Sequence, residues 1–400
     1  MKKFYYILFL VLFCFLQIKA SEPQPYVLLI SLDGFRWDYA ERGITPNLDK
    51  IKKEGVSALS FKPSFPSSTF PNHLSIITGM YPQNHGLISN FFENLYGEKY
   101  RLSDSNAVKN PVWYWGEAFW ETARRNKIIT ASYYWPGSEV RDENRRPNYY
   151  KTYNHDEPHE NKINGIIDWL KLPYHNRPHF ITLYFHDTDS EGHKFGTNSR
   201  QIDSTIAVLD SLIGIIRQRI ELIGMKDSVN IIILSDHGMT NIREDGIINI
   251  KDIIGEIDCD VNSLSAITMI KPKNDKEIEL VFNKLKKAEK NYKVYYKTEV
   301  PSYWNFSSNP YIYPIVVIAD IGYKLIYGKS TYNVVAEHGY DSQHTDMHGI
   351  FFAVGKKFKQ NYRVGTLENV DIYPLLCEIF KIDGRSNIDG NINRIKYILK

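Results

Sequence analysis

The sequence predicts an α/β fold, a three-layer α/β/α sandwich with a small α+β subdomain inserted into it. Three observations support this. Apolar, strand-like runs at Tyr26–Leu32, Ile128–Trp135, His179–Phe185, Asn230–Ser235 and Gly349–Val354 alternate with helix-compatible segments such as Ile163–Leu170 and Ser204–Ile220. That alternation is the pattern of a parallel-rich sheet covered on both faces. Between about residues 260 and 328 the order changes to a strand (Ala266–Ile270), an amphipathic helix (Lys276–Lys287), a strand (Tyr292–Tyr296) and a further apolar run (Tyr313–Ala319). Lastly, carboxylates and imidazoles follow several of the long runs, where the C-terminal edge of an open α/β sheet forms a ligand crevice.

At the N-terminus, Lys2 and Lys3 precede the apolar run Phe4–Leu16, and Lys19-Ala20-Ser21 follows it. A charged start, an apolar middle and a small-residue cleavage site resemble a secretory signal peptide over residues 1–20. The run is shorter than the ~20 residues that a spanning helix needs, and no other stretch is long and apolar enough to cross a bilayer. Residues 21–400 are then expected to form a catalytic chain that is secreted, periplasmic or extracellular. The formal net charge of +3 includes the three lysines of that first segment, which holds no acid, so the remaining chain is balanced. A balanced chain argues against genomic nucleic acid as a partner, although a local patch could grip a short anionic ligand. Beyond the leader only Cys259 and Cys377 remain, enough for at most one bridge and in no metal-spaced motif.

The chemistry-bearing residues come in order along the chain. Asp33 ends the first apolar run, Asp189 and His193 follow the third, Asp236 and His237 end the fourth, and His338 stands in AEHGYDS. Carboxylate oxygens and imidazole nitrogens suit Zn²⁺, and six of them are enough for two ions. Asp189 and His193 are four apart, so one helical turn would place them on one face, though a Gly-containing loop could converge them equally well. Spacing from His193 favours Asp189 over the nearby Asp187. His344 and His348 are close to His338 but lack its HGYD context.

Thr69 lies between a Pro/Ser-rich loop and a helix expected to start near Pro71, a residue favoured in the first helical turn. A hydroxyl there is ordinarily an N-cap. A helix N-terminus is also an anion site, and a hydroxyl whose pKa a metal lowers becomes a nucleophile. With the six donors in view, the residues read as a secreted two-metal hydrolase. His73 would point along the same helix and pack or support from behind. Asn305-Phe306-Ser307 is a glycosylation sequon in any host that modifies secreted proteins.

A longer set of motifs makes the reading specific. SLDGFRWDY, FPSSTFPNH, GMYPQNHGLISN, NPVWYWGEAFW, YYWPGSEV, HDTDSEGH, SDHGM and EHGYDSQHTDMHGIFFAVGKKFK resemble, in the same order, the motifs of the nucleotide pyrophosphatase/phosphodiesterase family of the alkaline phosphatase superfamily. The resemblance runs from about Tyr26 to Leu376 and implies an alkaline phosphatase-like sandwich. It implies two Zn²⁺ per chain, one held by Asp189, His193 and His338, the other by Asp33, Asp236 and His237, with Thr69 as the nucleophile bound to the second. Asn90, in HGLISN, matches the asparagine that contacts the phosphoryl oxygen. Phe70 follows the nucleophile, and Tyr153 matches an aromatic that stacks on the nucleobase in nucleotide-cleaving members. Two such faces would add ~1–3 kcal/mol per stacked base.

The resemblance implies hydrolysis of phosphodiester or pyrophosphate bonds in extracellular nucleotides. Lipid-cleaving relatives of the phospholipase C type keep the same metals, so a lipid phosphodiesterase or a phosphomonoesterase is the alternative activity. An inactive ligand-binding ectodomain is the alternative of another class. The sequence also departs from the family pattern. Thr188 stands where proline is common, Glu191 replaces a small residue, and Phe91 rather than lysine follows Asn90. The loop before the helix lacks the Cys/Ser-x-Pro-x-Arg pattern that a sulfatase needs.

Overall fold

The computed structural model describes residues 24–262, 265–329 and 334–400; the expected signal peptide, residues 1–20, lies outside the described residues. Eight strands form the main sheet, in the order Tyr362–Val364, Val56–Ala58, Phe351–Val354, Val229–Leu234, Tyr26–Leu32, Phe180–Phe185, Thr130–Tyr133 and Tyr149–Lys151. All run parallel except Phe351–Val354, which is antiparallel to both of its neighbours. Tyr26–Leu32 sits between two parallel partners, with Leu29 opposite Thr182 on one side and Ile232 on the other, and all seven of its residues are buried. A strand covered on both faces has no solvent side, hence its unbroken apolar run.

Alternate residues of that strand feed two cores. Val27 and Leu29 pack with residues of the helices Thr69–Thr78, Phe119–Arg125 and Ile372–Phe380. Leu28, Ile30 and Leu32 pack with the helices Pro46–Glu54, His159–Lys171 and Arg200–Leu222. The result is the three-layer sandwich. Arg200–Leu222 buries Ile202, Ile206, Leu209, Ile213, Ile216 and Ile220, a 4-3-4-3-4 spacing that makes one apolar stripe. Ser199 caps its N-terminus by accepting the Ile202 N–H at 3.2 Å. Burying each of these aliphatic side chains contributes about 1.5–3 kcal/mol.

Residues Cys259–Asn262, Ile267–Pro272, Ile315–Ala319 and Tyr292–Tyr296 form, in that order, a separate four-stranded antiparallel sheet. The helix Ile278–Lys287 covers it through Val281 and Leu285. Tyr340 and Met347 share that third apolar cluster, so the small sheet packs directly on the chain that follows His338. Cys259 and Cys377 are both buried free thiols. Among the described residues no helix is long and apolar enough to cross a membrane.

Candidate active site

The parallel strands deliver the site residues at their C-terminal ends. Asp33 follows Tyr26–Leu32, and Asp236 and His237 follow Val229–Leu234. Asp189 and His193 lie on the helix Asp187–Phe195 that follows Phe180–Phe185, which settles the helix-or-loop alternative in favour of one helical face. Gly34 has φ +64°, and a Cβ there would lie 2.9 Å from Asp189 Cα, so glycine lets these two loops touch. Thr188 ties them further, its hydroxyl donating to the Asp33 carbonyl. A threonine where proline is common therefore adds a clasp at the start of the helix.

The six expected donors converge. His237 Nε2 is 3.3 Å from Asp33 Oδ1 and 3.2 Å from Asp236 Oδ2. Asp189 Oδ1 is 3.3 Å from His193 Nε2 and 3.5 Å from His338 Nε2. Two sets of donors meet the spacing of a metal site, Asp189 with His193 and His338, and Asp33 with Asp189 and His237. The division into two separate trios is thus less clean than the family resemblance implies, because Asp189 reaches both and Asp236 is in neither of these sets. Asp187 instead pairs with His159 Nε2 at 2.7 Å. His348 is held between Ser60 and the Ser342 carbonyl, and His344 is exposed.

The donor chemistry fits cations. Each of the three histidines meets a backbone carbonyl at Nδ1: Gly238 for His237 at 2.8 Å, Ala336 for His193 at 2.8 Å, and Ser67 for His338 at 2.9 Å. A carbonyl only accepts, so Nδ1 carries a proton and each Nε2 faces a carboxylate oxygen; at His193 burial opposes the charged form but the Asp189 carboxylate outweighs it and pushes the pKa up to about 10. Those oxygens, Asp33 Oδ1, Asp189 Oδ1 and Asp236 Oδ2, are buried and find no hydrogen-bond donor among the described residues. Burial, then the charges of Asp236 and Asp189, raises the Asp33 pKa well above the carboxylate range; burial and Asp189 do the same to Asp236. Burial lowers the pKa of His237 and His338, which favours the neutral, ligating form. Three buried carboxylates within reach of one another repel, and positive charge among them, from the His193 ring or from a bound cation, offsets that repulsion.

Thr69 is the first residue of the helix Thr69–Thr78, two positions before the expected start, and Ser68 takes the N-cap position. Its hydroxyl does not cap. It is buried and lies 3.2 Å from His237 Nε2. Asn90 Oδ1 accepts the Phe70 N–H at 3.0 Å, so the side-chain NH₂ is what Asn90 can offer a ligand. That contact also occupies one of the helix-terminal amides expected near Thr69 to meet an anion. His73, fully buried, donates from Nδ1 to the Thr69 carbonyl at 2.8 Å and accepts from Ser31 Oγ at 2.9 Å. Burial lowers its pKa to about 3, so it supports the helix as a neutral ring.

The comparisons agree with this geometry. Residues 27–341 match the family model of type I phosphodiesterase/nucleotide pyrophosphatase. The chain belongs to that family. It is therefore a hydrolase by descent. It is 34% identical over 385 residues to human bis(5'-adenosyl)-triphosphatase, covering 95% of this chain and 83% of that protein. Against ectonucleotide pyrophosphatase/phosphodiesterase family member 1 of Mus musculus it is 31% identical over 400 residues, 95% of this chain but only 43% of that longer protein. The solved structure of murine ectonucleotide pyrophosphatase/phosphodiesterase 5 superposes with a TM-score of 0.90 at 29% identity, over 94% of this chain and 100% of that one. A threonine-to-alanine variant of the same murine protein is described as inactive and in complex with AMP, at 28% identity and TM-score 0.90, with the same coverages.

In this family member Asp33, Asp189, His193 and His338 open into a cavity of about 720 Å³, within the usual range for a ligand site. Phe70 and Tyr153 both line it. Tyr153 is 43% exposed, packs edge-on against Tyr134 at 5.3 Å, and bonds His155 Nδ1 through its hydroxyl at 3.0 Å. Phe70 packs edge-on against the buried Tyr100 at 6.2 Å. Sequence reasoning missed Tyr184, whose hydroxyl donates to Asp33 Oδ2 at 2.5 Å, and Glu337, beside His338 on the cavity wall. Tyr184 was legible as the second-last residue of its strand; Glu337 stands inside the EHGYD motif directly before His338, but only the fold gives it its contacts. Glu191 does not line the cavity.

Proposed function

We propose that this protein hydrolyses phosphodiester or pyrophosphate bonds of extracellular nucleotides and releases nucleoside 5'-monophosphates through a phospho-threonine intermediate on Thr69. The observation that carries the reading is the Thr69 hydroxyl, 3.2 Å from His237 Nε2 and on the wall of a cavity that also holds Asp33, Asp189, His193 and His338. Two Zn²⁺, one with Asp189, His193 and His338 and one with Asp33, Asp236, His237 and Thr69, would supply the positive charge that lowers the hydroxyl pKa and offsets the phosphoryl oxygens. The Thr69 oxygen attacks phosphorus from the His237 side. The bond to the leaving oxygen breaks on the side of phosphorus opposite the Thr69 oxygen, and that oxygen departs with the rest of the substrate. Asn90 donates from its NH₂ to a phosphoryl oxygen as charge grows there. Water then cleaves the phospho-threonine and regenerates the hydroxyl.

The name of the human relative and the AMP held by the murine variant support a nucleotide substrate. Phe70 and Tyr153 would hold the base, and residues 260–328 would act as an embedded subdomain at the mouth. The leader-like segment 1–20 fits an extracellular or periplasmic site of action. A substrate panel with zinc-loaded protein tests the reading. Nucleotide diesters should exceed an aryl phosphate monoester by orders of magnitude in kcat/KM, because binding energy comes from a part remote from the chemistry. A preference for choline phospholipids would move the function to lipid cleavage.

Two further results are expected. Elemental analysis should find close to two zinc equivalents, chelation should abolish turnover, and zinc should restore it; one equivalent, or mainly magnesium, would contradict the two-zinc reading. Phe70→Ala and Tyr153→Ala should each cost ~1–3 kcal/mol, roughly 5- to 150-fold, on nucleotide substrates. A methyl phosphodiester without a base should be much less affected. Equal losses on both substrates would show that these rings support the fold and not the ligand.

A further inference from the structure

The two aspartates that follow the central strands Tyr26–Leu32 and Val229–Leu234 share one pattern: the protein holds one oxygen and leaves the other open. Asp236 Oδ1 accepts the Gly34 N–H at 3.2 Å, and Asp236 Oδ2 meets no donor among the described residues. Asp33 Oδ2 accepts the Tyr184 hydroxyl at 2.5 Å, and Asp33 Oδ1 meets none. The open oxygens are the ones beside His237 Nε2, at 3.3 Å for Asp33 and 3.2 Å for Asp236. Both carboxylates thus offer one oxygen each to the same place. The donor that holds Asp236 is backbone, fixed by the turn at Gly34. The donor that holds Asp33 is a side chain, and the sequence could have chosen otherwise.

Sheet register brings that hydroxyl to Asp33. Tyr184 lies opposite Ser31 in the parallel pair formed by Phe180–Phe185 and Tyr26–Leu32. Paired residues share a face of the sheet, and Asp33, two residues after Ser31, returns to that face. The Tyr184 ring is buried and packs edge-on against His73 at 5.2 Å, while Ser31 Oγ lies 2.9 Å from His73 Nε2. The ring is therefore held between the nucleophile helix and the strand, with its oxygen on the carboxylate. A phenol that donates to a charged acceptor makes one of the stronger hydrogen bonds available to a neutral side chain.

We propose that Tyr184 is a positioning residue for the metal site of Asp33: its hydroxyl occupies Oδ2, so that Oδ1 alone turns to the cation. This rests on the two-zinc reading above. Zinc is bound by few ligands at a fixed tetrahedral spacing, so a carboxylate locked to one oxygen suits it. With both oxygens free, the same carboxylate can rotate or take a cation through both. Partners behind a ligand that fix its orientation are worth ~10- to 100-fold in metal affinity. The competing explanation is packing alone. The ring supports His73 and lies 6.3 Å from the Tyr153 ring, and neither contact needs the hydroxyl.

Tyr184→Phe separates the two explanations, because it keeps the ring and removes only the oxygen. Zinc-loaded protein is titrated with a chelator, the zinc left on each chain is measured, and circular dichroism confirms the fold. The variant should give up one of its two equivalents at roughly 10- to 100-fold less free chelator than the wild-type protein. The other equivalent should leave at the wild-type concentration. Turnover of a nucleotide diester should fall when zinc is limiting and return in excess zinc, with KM near the wild-type value because the ring remains. Release of both equivalents as in the wild-type protein would overturn the proposal and leave the two-zinc reading intact. So would a loss of turnover that excess zinc does not restore. Fewer than two equivalents on the wild-type protein itself would overturn that reading and this proposal together.

Discussion

Thr69→Ala should lower turnover by at least ~10³-fold while zinc content stays near its wild-type value, because a covalent nucleophile has no substitute within the chain. The hydroxyl stands on the Cβ of the first residue of a helix whose N-cap position belongs to Ser68, so its loss should leave the fold in place. Its one polar contact among the described residues is His237 Nε2 at 3.2 Å, and the six carboxylate and imidazole donors remain. Thr69→Ser, which keeps the oxygen, should recover a substantial share of the activity. A chiral phosphorothioate diester gives an independent readout. Two successive in-line displacements retain configuration at phosphorus, whereas direct attack by water inverts it. Full activity in Thr69→Ala, or inversion in the wild-type protein, would replace the phospho-threonine with a single displacement.

What the sequence made legible, and what it hid, follows from length and periodicity. Tyr26–Leu32 and Val229–Leu234 are buried on both faces, so their apolar runs show without any structure. Val56–Ala58, Tyr149–Lys151 and Tyr362–Val364 have only three residues each, too few for any period to register. Cys259–Asn262 was hidden in the same way, since CDVN carries polar residues at an edge of the small sheet. At the site, residues that directly follow long strands were legible because the fold class says where strands end. Glu337 was not, since its meaning lies in contacts with Lys324 and His193, 13 and 144 positions away in the chain. The sharing of Asp189 was hidden for the same reason. Spacing relates it to His193, but only the approach of the Gly34 loop brings it to Asp33 and His237.

That sharing makes Asp189 the ligand whose loss should matter most. Asp189 Oδ1 faces His193 and His338 within 3.3 and 3.5 Å, and the same residue meets metal-site spacing with Asp33 and His237. His193 belongs to only one of these sets. Asp189→Ala should therefore remove more than one zinc equivalent, whereas His193→Ala should remove about one. On the two-zinc reading each metal would stabilise the transition state by several kcal/mol, so Asp189→Ala should lose roughly 10³-fold or more in kcat, and excess zinc should restore little of it. His193→Ala should recover more in excess zinc, because Asp189 and His338 still define that site. Zinc content after gel filtration, read with circular dichroism to confirm the fold, decides the matter. If Asp189→Ala loses one equivalent and keeps the other as firmly as His193→Ala does, then Asp189 serves a single metal. Asp33, Asp236 and His237 would then hold the second ion alone, as the family resemblance implies.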